Sequence, residues 1–249
     1  MTTFMKRKTI CMVCGRKSKH ETIGSTNEFG PPDFDMRPPE MMRSTMSFWI
    51  QQCPKCNYCS PDIENGPEIA RDVIKSDVYR NQLKDKSMPD LANRFLCWSM
   101  IQETAGNLRD TGWYALRAAW TCDDHKKTDQ AVQCRLKVID YFEKEMAKER
   151  PFNDGEGSED VILADLYRRT GQFYEVQKIC RLGLDKKLDT ILAKALFMQG
   201  ILAMQKDTRC YTFAGELQNP KDGKSSLPPD LFKNWENMSK WVSRIQEEV

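Results

Sequence analysis

The chain is expected to be mainly α: a small β zinc-ribbon-like module followed by an α-helical hairpin array of the tetratricopeptide (TPR-like) kind. Three observations predict this. Two Cys-x-x-Cys pairs, Cys11/Cys14 and Cys53/Cys56, lie in the first quarter of the sequence. Near residue 60 the composition changes from Cys, Gly, Pro, Ser and Thr to Leu, Ala, Lys, Glu and aromatics at helical spacing. Between them, SPDIENGP (60–67) carries two prolines and a glycine and reads as a linker. The expected domains are a zinc-ribbon-like module over 1–63 and a helical domain over 68–249.

In the first part, 17–26 and 45–52 read as short strands. The second has the clearer pattern, because Met46, Phe48 and Ile50 alternate with Ser47, Trp49 and Gln51. The intervening NEFGPPDFDMRPPEMMRS has four prolines, which exclude a regular helix or central strand and predict an extended excursion.

Beyond residue 67 the pattern is helical. Pro89-Asp90 opens a helix to about residue 104, and Ala105-Gly106-Asn107 breaks it. Helices follow over 108–122 and 128–150. The second of these carries Val132, Leu136, Ile139, Phe142 and Met146 at intervals of three and four, and Pro151 ends it. Ser158 is an expected N-cap, with Glu159 and Asp160 suited to the positive end of the helix that follows. That helix carries Leu163, Leu166 and Tyr167 and stops before Gly171. Partners are expected over 172–184 and 189–206. After a loop with Gly223, Pro228 and Pro229, a last helix over 230–248 has a seam of Leu231, Trp235, Met238, Val242 and Ile245.

Weak repetition supports the hairpin array. Leu116 with Trp120 recurs as Leu163 with Tyr167, and the spacing Leu163, Ala164, Tyr167, Gly171 resembles the first helix of a tetratricopeptide repeat. Val176 and Gly183 stand where Ala is usual, and Leu188 where Pro is usual. An ordinary helical bundle is the alternative.

The 249 residues are 40% hydrophobic and 30% charged, with six Trp, seven Tyr and eleven Phe, which argues for a folded chain. Net charge is only +2, from 38 basic and 36 acidic residues, so a generic polyanion binder is not expected. A local patch is another matter. Lys6, Arg7, Lys8, Arg16, Lys17 and Lys19 occupy residues 1–20 without an acid. They form either a phosphate-binding face for nucleic acid or a solvated face that shields the thiolates. No apolar run has signal-peptide or transmembrane length, so a cytoplasmic protein without a membrane partner is expected.

The cysteines carry the strongest chemical signal. Cys97, Cys122, Cys134, Cys180 and Cys210 are isolated in helix-like sequence and read as small buried hydrophobes. CMVCG and CPKCN are different. Two cysteines separated by two residues aim both sulfurs at one ion from a single tight turn. Gly15 and Asn57 are the residue types that most easily take the positive φ needed just after such a turn. Four thiolates suit tetrahedral Zn²⁺. Cys59, in CPKCNYC, competes with Cys53 and Cys56 as a ligand. Those two are preferred because CPxCN matches CxxCG, leaving Cys59 a packed thiol. A thioredoxin-type site would need a βαβ pattern, which is missing, and an iron–sulfur cluster is the remaining metal alternative. Four sulfurs close the shell, so the zinc is expected to be structural, worth about 10–16 kcal/mol to folding.

Other candidates are weaker. Asp33, Asp35 and Arg37 in DFDMRPP would share one face of an extended chain, either as an acid/base and cation site or as a salt-bridged loop. His20 has no ligand spacing, and His125 suits a helix C-terminus. Trp98, Trp113, Tyr114 and Trp120 read as core between hairpins, with a peptide groove as the alternative. No Gly-rich phosphate loop, HExxH or GxSxG occurs.

CMVCG, IGSTNEFGPPDFDMRP, WIQQCPKCNYCSPDI, LRAAW and LADLYRRTGQF together resemble an uncharacterised bacterial family. That family pairs an N-terminal four-cysteine zinc-binding segment with a tetratricopeptide-like region. The resemblance implies Cys11, Cys14, Cys53 and Cys56 as metal ligands and implies no activity. Three functions follow as expectations. The first is a non-enzymatic adaptor with a protein partner on its helical surface. The second is a nucleic-acid-associated factor using the basic module. The third is an enzyme with its site near Asp33, Asp35 and Arg37.

Overall fold

A computed structural model describes residues 1–155, 157–186 and 188–213. The helix expected over 230–248, with its loop, lies outside the described residues. Two compact units form, and they interleave in sequence. The first comprises Met1–Gly30 with Arg37–Gly155; the second comprises Pro31–Met36 with the described residues from 157 onward.

The first unit opens with two strands, β1 (Thr3–Ile10) and β2 (Lys17–Ser25), paired antiparallel so that Ile10 faces Lys17. β3 (Glu28–Phe29) and β4 (Glu40–Met41) form a two-residue ladder that closes the proline-rich excursion. A 3-10 turn covers Arg43–Phe48, and β5 (Gln51–Gln52) pairs with β6 (Cys59–Ser60). The helices of this unit are α1 (Ala70–Val73), α2 (Asp77–Leu83), α3 (Asp90–Thr104), α4 (Leu108–Asp124) and α5 (Thr128–Met146). The described chain is thus mainly α, with only two-stranded sheets.

Local chemistry sets these boundaries. Ser76 caps α2 by accepting from the Tyr79 amide, and Asn107 caps α4 by accepting from Asp110. Gly106 ends α3 in the left-handed region, at φ 80°. α4 packs on its neighbours through Ala115, Leu116, Ala119 and Trp120, all buried. At Gly112 an added Cβ would sit 2.4 Å from Phe142, so the missing side chain is what lets the α5 ring close on α4. Phe142 in turn stacks on Phe152 with centroids 3.9 Å apart, and Trp113 donates to the Phe152 carbonyl at 2.8 Å.

The second unit contains α6 (Ser158–Arg169), α7 (Phe173–Leu184) and α8 (Thr190–Met204), all three in mutual contact. Its core includes Ile162, Leu166, Val176, Cys180, Leu196 and Leu202. A charged network is buried among them. Arg168 donates to Asp165 at 2.6 Å, to Gln199 at 2.5 Å and to the Asp207 carbonyl at 2.6 Å.

Four expectations need correction. Of residues 45–52 only Gln51–Gln52 form a strand, and 45–48 belong to the 3-10 turn. Thr45 and Ile50 are buried, and the Trp49 indole donates to the Thr45 hydroxyl at 2.9 Å, a contact four residues apart that an alternating strand cannot make. Second, the buried residues of α5 are Ala131, Cys134, Arg135, Val138, Ile139, Tyr141, Phe142 and Glu145, so Ile139 and Phe142 of the expected stripe are buried, while Leu136 and Met146 lie at the surface. Third, Gly157 at φ 78° caps α6, and Ser158 is the first helical residue. Fourth, a turn closed by the Met36 amide on the Asp33 carbonyl, with Met36 at φ 62°, breaks the extended row proposed for Asp33, Asp35 and Arg37. Among the described residues, no helix is long and apolar enough to cross a membrane.

Candidate metal centre

Each Cys-x-x-Cys pair is the turn of a hairpin. Residues 11–16 join β1 to β2, and residues 53–58 join β5 to β6. The two turns carry the same hydrogen bonds at equivalent positions. The Gly15 amide reaches the Cys11 carbonyl at 2.8 Å, and the Asn57 amide the Cys53 carbonyl at 3.0 Å. The Cys11 amide closes on Arg16, and the Cys53 amide on Tyr58. Gly15 (φ 68°) and Asn57 (φ 62°) both take the left-handed conformation expected of them.

These turns bring four sulfurs together. The Sγ atoms of Cys11, Cys14, Cys53 and Cys56 all lie within 4.8 Å of one another. Cys11 and Cys56 are 3.7 Å apart, and Cys14 and Cys53 are 3.6 Å apart. None of the four is in a disulfide. A tetrahedral ion with metal–sulfur bonds of about 2.3 Å has sulfur–sulfur edges of about 3.8 Å, so the donor set fits such an ion. Cys11 and Cys53 are buried, and Cys14 and Cys56 are half-buried. The latter two wall a recess of about 490 Å³ with Val13, Ile74 and Leu83.

Burial and the hydrogen bonds of the turns pull the sulfurs in opposite directions. Burial raises the Cys53 thiol, but the Cys56 and Lys55 amides together with the Cys56 and Cys14 thiols outweigh it and hold the group down at about 7. Burial pushes Cys11 up against the opposing pull of the Cys14 and Val13 amides, and it pushes Cys56 up as well. Cys53 is thus the sulfur of the group held nearest to its thiolate form. Binding a cation here would displace protons from the rest.

Three side chains outside the cysteines hold the turns, and the sequence offers no motif that would have found them. Arg71 in α1 donates to the carbonyls of Met12 at 2.6 Å and Val13 at 2.7 Å. Tyr79 in α2 donates to the Asn57 carbonyl at 2.9 Å and accepts from the Cys59 amide at 3.0 Å. Tyr58, fully buried, donates to the Asn65 carbonyl at 2.8 Å and meets Trp98 edge-on. Cys59 is fully buried, and its sulfur faces the Asn57 carbonyl at 3.5 Å.

The remaining candidates lie elsewhere. Asp33 and Asp35 are buried in the second unit, where Asp35 pairs with Arg169 at 3.2 Å and Asp33 bridges to Thr212. Arg37 belongs to the first unit and donates to both Asp124 oxygens, at 2.6 and 2.8 Å. His20 meets the Ser18 hydroxyl at 2.9 Å, and burial lowers its pKa. His125 is the C-cap of α4, its ring 2.9 Å from the Thr121 carbonyl. Trp98 and Trp120 are buried, and Trp98 meets Tyr114 edge-on.

Fold and site define a mainly helical chain with a four-cysteine group able to hold a metal ion. Comparison with protein-family models, curated proteins and solved structures gives no match to this chain.

Proposed function

We propose that the chain is a non-enzymatic adaptor. Cys11, Cys14, Cys53 and Cys56 hold a structural Zn²⁺, and the helices, a tetratricopeptide-like array, carry a surface for a protein partner in the cytoplasm. This is the architecture of the bacterial family that the sequence resembles. The observation that carries the metal reading is the pair of sulfur–sulfur distances, 3.7 and 3.6 Å, close to the edge of a tetrahedral zinc–thiolate unit. Four thiolates fill the shell of such an ion and leave no position for water or substrate. Its contribution is cross-linking two distant turns, not chemistry. Metal analysis of the purified chain tests this. One zinc per chain is expected, and a Cys14→Ser variant is expected to lose most of it. Another metal, or none, would refute it.

The partner surface is supported by Tyr174, Leu182 and Ile191, which the described part of the second unit leaves largely exposed, at 68%, 56% and 61%. Affinity capture with the full chain is expected to retain protein species that a Tyr174→Ser/Leu182→Ser variant loses; equal recovery by both would reject the surface. A second reading, a nucleic-acid-associated factor, is favoured by one specific observation: the lysines of β1 and β2 gather on one face of their ribbon. The third, an enzyme near Asp33, Asp35 and Arg37, has less support, because Asp35 and Arg37 are engaged in separate ion pairs, with Arg169 and Asp124.

A further inference from the structure

The pairing of β1 with β2 fixes which side chains share a face. Phe4, Lys6, Lys8 and Ile10 stand opposite Ile23, Glu21, Lys19 and Lys17 respectively. One face of the ribbon therefore carries Lys6, Lys8, Lys17 and Lys19, all exposed. Lys8 lies directly across from Lys19, an arrangement that is unfavourable unless a counter-anion sits over it. Lys6 meets Glu21 at 3.4 Å. Among the described residues, Lys8, Lys17 and Lys19 make no ion pair. They line a recess of about 520 Å³ with Ile10 and Glu64, whose carboxylate accepts from the Ile10 amide at 2.9 Å. Along each strand the ammonium groups repeat at about 6.7 Å.

The ribbon is also little buried. It is a two-stranded sheet on its own, and every β1 residue except Thr9 is exposed. Beyond the Phe4–Phe48 ring contact, the part of this face from Lys6 to Ile10 spans about 16 Å, about half of one duplex turn of about 34 Å. The major groove of B-DNA, about 12 Å wide, admits a two-stranded ribbon, whereas the narrow major groove of duplex RNA does not. The sulfur cluster sits at the turn of this same hairpin, so the metal would stiffen the end from which the lysines project.

From this we infer that the lysine face of β1–β2 is a sequence-independent phosphate-binding face for duplex DNA, a site that rests on the nucleic-acid reading above and gives it a contact surface. The face neutralises about four phosphates, and Lys8 and Lys19 form its centre.

Fluorescence anisotropy of the full chain with a labelled DNA duplex, from 50 to 200 mM salt, tests it. Four phosphate contacts give a log–log slope of about −3.6 and an affinity loss of about 150-fold over that range. Lys8→Gln/Lys19→Gln is expected to halve the slope, with equal effect on duplexes of unrelated sequence, and to leave zinc content unchanged. A control, Lys75→Gln in the same unit, is expected to change nothing. If DNA binds but the double variant keeps the full slope, the lysine face is refuted while the broader nucleic-acid reading survives. If no DNA binds, both fall. Equal binding of duplex RNA, or preferred binding to anionic vesicles or an acidic peptide, also refutes this face as a DNA site.

Discussion

Tyr79 reaches from α2 to the second cysteine turn and satisfies two backbone groups at once, the Asn57 carbonyl and the Cys59 amide. Burial raises its pKa, so the phenol remains a donor at neutral pH. Tyr79→Phe keeps the ring, strands the buried Cys59 amide and takes one donor from the Asn57 carbonyl, at a cost of about 1–3 kcal/mol. The first unit should melt several degrees lower, and a chelator should strip its metal faster; an unchanged melting temperature would show that the hydroxyl is not what holds the turn. In the second unit, burial raises Asp207, but the hydrogen bonds from Arg209 and Tyr211 win and hold it at about 2, below the ordinary 3.8. A carboxylate depressed on folding adds stability that is complete above the unfolded value. That stability is lost as pH falls through the folded one. Between about pH 4 and 2 the second unit should therefore lose stability, and Asp207→Asn should flatten that part of the profile. Identical acid profiles for both proteins would contradict this. At this scale the sequence was legible where backbone geometry demands a residue type: Gly15 and Asn57 stand where positive φ is required. Tyr79 and Arg71 were not legible, because a tyrosine or arginine on a short helix carries no local sign of the distant carbonyl it will meet.

Helices were the most readable elements. Asp90–Thr104 and Leu108–Asp124 fall within two residues of expectation, since Pro89, Gly106 and Asn107 punctuate them by backbone chemistry rather than by packing. The failures have one origin: a periodicity argument assumes that one face is buried and apolar. β1 has almost no buried face, so its KRK run hid a strand. In 45–52 the apparent alternation was incidental, and the chain turns tightly to bury Thr45, Met46 and Ile50. In α5 the buried stripe includes Arg135, which sits 2.5 Å from Asp123, so a purely apolar search found Ile139 and Phe142 but added Leu136 and Met146 from the exposed side. The close approach of α4 and α5 gives a direct test. Gly112→Ala would drive a methyl into Phe142, and overpacking of this kind costs about 1–3 kcal/mol. Thermal unfolding should register that loss in the first unit, and a neutral result would mean that Phe142 gives way to the methyl without loss of packing. Arg168→Met in α6 should be costlier, about 3–5 kcal/mol, because it leaves Asp165 charged and buried. Denaturant midpoints measure it, and a loss below about 1 kcal/mol would show that Gln199 and Arg169 hold the Asp165 carboxylate without Arg168.

Over the whole chain, a change in composition at residue 60 suggested two parts, yet the compact units are drawn differently. The cysteine turns belong with α1–α5, and Pro31–Met36 belongs with α6–α8. Composition reports which residues are local neighbours; it is blind to Tyr58 meeting Trp98, or to Phe34 meeting Phe213, both bridging long stretches of sequence. Each unit has its own buried core. Metal removal should consequently loosen the first unit, starting from the turns held by Arg71 and Tyr79, while amide protection in α6–α8 persists. Native mass spectrometry with thiol alkylation goes to the centre of the matter. The wild-type chain should carry the mass of one zinc ion, with Cys11, Cys14, Cys53 and Cys56 resisting alkylation until the metal is removed, and Cys14→Ser should lose both the added mass and the protection. A metal-free chain whose four thiols react at once, or a mass increment matching an iron–sulfur cluster, would contradict a structural zinc site.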